Sequence, residues 1–173
     1  MGQDETVLMT ASRTGVNEVV KALISAGANV NARESWRGQT ALMWAAAEGN
    51  KEVLEYLISA GADVSARSDA GFTPLLFAAR EGRTSIVRSL IESGATVNEA
   101  LPSREAIVTE NGMSSAAQTG MNPLLLAIGS AHFETASVLL DLGANPNAAP
   151  LGWAPIHQTV SYTHLTLPTK RIV

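Results

Sequence analysis

The string GANVN at Gly27 returns as GADVS at Gly61, GATVN at Gly94 and GANPN at Gly143, in steps of 34, 33 and 49 residues. A second marker keeps the same phase: TVLMTAS at Thr6, TALMWAA at Thr40, TPLLFAA at Thr73, NPLLLAI at Asn122 and APIHQ at Ala154. Both markers stretch together at one place, so a single unit repeats, with one insertion of 16 residues. A chain built this way buries the apolar face of each unit against the next unit rather than around one central core.

Each unit predicts two short helices. Thr73-Pro74 and Asn122-Pro123 set an N-cap side chain before a proline at the first helical position, where its missing N–H costs nothing. The first helix ends near Gly15, Gly49 or Gly82. The second shows apolar pairs at helical spacing: Val19/Val20 with Leu23/Ile24, Val53/Leu54 with Leu57/Ile58, and Ile86/Val87 with Leu90/Ile91. Gly27, Gly61, Gly94 and Gly143 come after it, where a left-handed residue terminates a helix. Helices of roughly ten residues are marginal alone in water, so stacking has to stabilise them.

A period of 33 residues carrying T-P-L, then Ala-Ala, then Gly, then G-A-D/N-V-N resembles the ankyrin repeat over residues 4–158. The resemblance implies an all-α solenoid of stacked helix-turn-helix units with loop or β-hairpin fingers projecting at right angles. It divides residues 1–159 into repeats at 4–31, 32–65, 66–98 and 115–147, a partial repeat at 148–159, and an insertion loop at 99–120. The family's histidine in T-P-L-H survives only as His157; Met9, Met43, Leu76 and Leu125 hold its place elsewhere. Apolar packing between repeats is the expected substitute for the histidine's hydrogen bond. Neither end carries the polar outer face of a capping repeat, so the chain reads as a piece of a longer array.

The closing stretch SYTHLTLPTKRIV breaks the phase in the middle of a helix. The peptide VSYTHLTLPT, residues 160–169, resembles a forward translation of the transposase-end adapter of sequencing libraries, whose fixed sequence would then supply Val173 and a stop. Residues 160–173 are therefore expected to be a non-native tail and are set aside from the functional argument.

Composition narrows the functional classes. The net charge is −4, and basic residues stand singly without interleaved aromatics, which argues against nucleic acid and anionic membrane as partners. The longest strongly apolar run, residues 123–128, is far too short to cross a bilayer. There is no cysteine, so disulfides and thiol catalysis are excluded. That absence and the lack of a signal sequence at Met1 favour a cytoplasmic setting, with the compartment left open. His132 sits at a turn between helices and His157 in a structural motif position; neither shares a site with a serine, an acid or a second histidine. No cofactor, metal or catalytic residue is expected.

The resemblance instead implies binding along the finger tips and the concave face of the first helices. In this sequence those positions are Arg33, Glu34, Trp36 and Arg37 in one finger and Arg67 and Asp69 in the next. Arg13, Trp44, Glu48, Phe77, Arg80 and Glu81 lie on the first helices. The arginines gather on this side, and Glu18, Glu52, Glu55, Glu92 and Asp141 on the second helices. The expected partner of the monomeric chain is another protein, acidic or mixed in charge. The alternative is the recognition arm of a larger enzyme or effector whose catalytic part lies elsewhere. Trp44, Phe77 and Leu126 recur at one phase and read first as core between repeats. Trp36 reads equally as a binding residue or as one packed against the neighbouring finger.

Overall fold

The computed structural model describes residues 5–102 and 120–148. The expected tail, the partial repeat apart from Ala148, and most of the insertion lie outside the described residues. Eight helices occur in order: α1 (Val7–Thr14), α2 (Asn17–Ser25), α3 (Ala41–Glu48), α4 (Lys51–Ser59), α5 (Pro74–Arg80), α6 (Thr84–Glu92), α7 (Pro123–Gly129) and α8 (Phe133–Asp141). The odd-numbered helices stack in an inner row and the even-numbered ones in an outer row, each pair touching the next. No described helix is long and apolar enough to cross a membrane.

The sequence signals act as expected at the helix ends. The side chains of Thr6, Thr40, Thr73 and Asn122 accept from the N–H groups of Met9, Met43, Leu76 and Leu125, satisfying donors that a helix start leaves open. Gly27, Gly61, Gly94 and Gly143 all have φ near +90°, just beyond the end of an outer helix. Met9, Met43, Leu76 and Leu125, which replace the motif histidine, are all 1% exposed or less.

Two apolar cores result. The larger runs between the rows through Leu42, Leu54, Leu75, Ile86, Leu90 and Leu139. The smaller lies beneath the fingers and joins Met43, Phe72, Leu76, Phe77, Leu101 and Leu126, with Met121 packed on it. Phe77 and Leu126 are thus core residues, as their recurrence suggested.

Polar rungs connect the repeats. Asn50 donates from its side chain to the Ser12 and Arg13 carbonyls at 2.8 and 2.9 Å, and Arg83, at the same phase, donates to the Ala47 carbonyl at 2.9 Å. Each occupies the turn before an outer helix and covers carbonyls at the end of the preceding inner helix.

The insertion begins later than its composition suggests. Leu101 is 5% exposed, and its N–H donates to the Met121 carbonyl at 2.9 Å, while the Gly120 N–H returns to the Leu101 carbonyl at 3.1 Å. The pair corresponds to Ser68 and Phe72 in the preceding finger, where the Ser68 N–H donates to the Phe72 carbonyl. Glu99 is also packed, its carboxylate accepting from the Thr73 hydroxyl. Residues 99–102 therefore belong to the finger, and the extra chain starts only after Pro102.

Candidate functional site

The fingers meet the inner helices in a groove of about 620 Å³. Its floor is Met43, Trp44, Ala47, Phe72 and Phe77; Trp36, Arg37, Asp69 and Ala70 come from the fingers, and Glu48, Arg80, Glu81 and Arg83 from the helix ends. The chain has three tryptophans, two tyrosines and three phenylalanines. Four of those eight aromatic residues line this one groove.

The first finger is positioned by Glu34. Its carboxylate turns inward, 7% exposed, and accepts from the N–H groups of Trp36, Arg37 and Gln39 at 2.6 to 3.0 Å. Burial alone would push this carboxyl up, but the three N–H donors and the Arg37 charge together hold it below the usual carboxylate range. Ser68 repeats the arrangement one unit on, its hydroxyl accepting from the Phe72 N–H at 3.1 Å. Glu34, expected on the binding surface from sequence, is instead an internal brace, because the turn leaves three adjacent donors that only an acceptor within it can reach.

Arg33 and Arg67 both reach the next finger. Arg33 donates to the Arg67 carbonyl at 2.6 Å and pairs with Asp69 at 2.9 Å. Arg67 donates to the Gly71 and Ala100 carbonyls and lies 3.8 Å from Glu99. Each arginine ties its finger to the next while its side chain stays nearly half exposed. Gly38 sits beneath the first tie with φ +64°; a Cβ there would overlap both Arg33 and Asp69.

The remaining expected residues converge. Trp36 stands 75% exposed, with the Arg37 guanidinium 3.9 Å from its ring centroid. Arg80 lies 5.2 Å from the Phe72 ring and 5.0 Å from the Phe77 ring, and its Nε bonds Glu81 at 2.9 Å. Arg13 covers the Trp44 ring at 5.4 Å. The Trp44 Nε1 is enclosed and has no hydrogen-bond partner among the described residues. Trp36, Arg37, Trp44, Glu48, Asp69, Phe77, Arg80 and Glu81 are thus brought into one site.

Sequence reasoning missed Phe72, Gln39 and Arg83 as lining residues. Phe72 and Gln39 directly precede the N-cap threonines Thr73 and Thr40, a phase that could have marked them. Arg83 shares its phase with Asn50, but its reach into the groove depends on its side-chain length. Among the described residues no group of His, Asp and Glu could hold a metal ion.

Comparison with known families agrees with this architecture. The family model described as ankyrin repeats in three copies matches residues 8–101, and the single ankyrin repeat model matches residues 119–149. None of the curated proteins matches the chain.

Proposed function

The chain belongs to the ankyrin repeat family, whose general role is protein–protein interaction, and from that premise we propose that it grips a partner protein in the groove between fingers and inner helices. The observation that carries this reading is the convergence of Trp36, Trp44, Phe72 and Phe77 on one concave surface. Aromatic and arginine side chains dominate the energetic centres of interfaces, since they combine apolar area with directional polar groups. Here Trp36 keeps most of its surface open on a finger braced by Glu34, so little ordering cost remains when a partner covers it. The groove is equally supplied with both charges, Arg37, Arg80 and Arg83 against Glu48, Asp69 and Glu81, which suits a mixed-charge partner.

Selection of a random peptide display library on the folded chain tests the reading. The expected result is a set of binders that lose affinity about tenfold or more for Trp36→Ala. They should bind Arg88→Ala, altered on the exposed side of α6, as well as the unaltered chain. A library yielding no binder, or binders indifferent to Trp36, would overturn it.

A further inference from the structure

Every aromatic ring of the groove already has a guanidinium of this chain over it. Arg37 covers Trp36, Arg13 covers Trp44, and Arg80 covers both Phe72 and Phe77. Ring faces attract cations because of their quadrupole, so one face of each ring is already taken and less remains for a partner's lysine or arginine. An arginine stacked on a ring keeps its in-plane N–H donors, and those donors fit a carboxylate.

The charges left over point the same way. Asp69 is engaged by Arg33, and Glu81 by Arg80. Among the groove residues, Arg37 and Arg83 form no ion pair with any described residue, and Glu48 is the one acid in that condition. Two cations without an ion pair, Arg37 with its charge also felt by Glu34, thus stand against one such anion inside the concavity, where charge interactions are stronger than in bulk water.

We propose that the groove selects an extended peptide segment of its partner bearing a carboxylate side chain beside an apolar one. The carboxylate meets Arg37, and the apolar side chain lies on the floor of Trp44 and Phe77. This rests on the protein-binding reading above and names the chemistry of the ligand. A nucleic acid strand carries a charge at every phosphate and would run against Glu48, Asp69 and Glu81. A peptide places its charges selectively and can spare those acids.

The experiment uses a display library with Asp and Glu as frequent as Lys and Arg. Groove binders enriched in Asp or Glu are expected. Replacing Arg37 by Gln should weaken the best synthetic peptide about tenfold, the scale of one charge-assisted hydrogen bond. Arg88→Gln, the same loss of charge on the outer helix, should change affinity less than about twofold, as expected for a charge outside the interface. Added salt should weaken binding, mainly by slowing association. Groove binders enriched in Lys or Arg would overturn this inference and leave the protein-binding reading standing. Equal losses from Arg37→Gln and Arg88→Gln, or oligothymidine binding as tightly as the peptide, would overturn it too. A library with no binder would remove both readings together.

Discussion

Asn31 and Gly61 join neighbouring repeats: the Asn31 side-chain N–H donates to the Gly61 carbonyl at 3.0 Å, and its oxygen accepts from the Asp63 N–H at 2.9 Å. Asn98 makes the same two bonds to Gly143 and Asn145. Ser65 holds this position in the repeat between and is too short to cross; its hydroxyl and N–H both donate to Asp63 instead.

Ser65→Asn should therefore complete the ladder, reaching the Gly94 carbonyl and the Thr96 N–H. The expected gain is about 1 kcal/mol, read as a rise of a few degrees in melting temperature. The Ser65 hydroxyl is the main cause of the lowered Asp63 pKa, with its N–H second. An NMR titration should find the Asp63 carboxyl moved back toward its ordinary range in the variant.

Ser12 is fully buried in α1, and its hydroxyl has no partner among the described residues. Ala46 and Ala79 stand at the same phase in the next two repeats. Ser12→Ala should raise stability by about 1 kcal/mol, because it removes an unsatisfied polar group without opening a cavity. A denaturation midpoint unchanged or lowered would contradict this.

Glu34 and Glu99 should respond to acid in opposite senses. The Glu34 carboxyl is held below its unfolded value, so its contribution is present above the unfolded pKa and lost as pH falls through the folded one. Glu34→Gln should cost about 1–3 kcal/mol at neutral pH, since an amide is a poorer acceptor for three N–H groups. That cost, read from denaturant melts across pH, should shrink as the solution is acidified.

At Glu99 burial pushes the carboxyl up, and the Thr73 hydroxyl and Arg67 offset this only in part. Its charged form therefore costs stability above the folded pKa, and the cost is absent below the unfolded pKa. Glu99→Gln should melt higher than the unaltered chain at neutral pH, with the two curves converging at low pH.

Helix ends and row order were legible because they depend on local chemistry: Thr40 and Gly49 act within one turn of α3, and the fixed phase carries the reading to every repeat. The groove lining was legible only where a residue's place follows from its own position, as for Trp36 and Arg80. Arg33 and Arg67 look like surface cations until the next finger is in place, since the carbonyls they bind belong to residues 34 and 33 positions later. Leu101 was hidden by its neighbours. A polar, low-complexity stretch comes directly after it, and only the phase it shares with Glu34 and Ser68 marks it as part of the finger.

The two bonds between Leu101 and the residues at 120 and 121 close the third finger before the extra chain begins and after it ends. The fourth repeat is therefore anchored at Leu101 as well as at Asn98 and along α5 and α6, on contacts that do not run through the residues between. A gene lineage could lengthen, shorten or exchange that stretch in whole codons and leave every downstream contact in frame. The stack supplies the constancy, and this junction is a place where novelty can be tried.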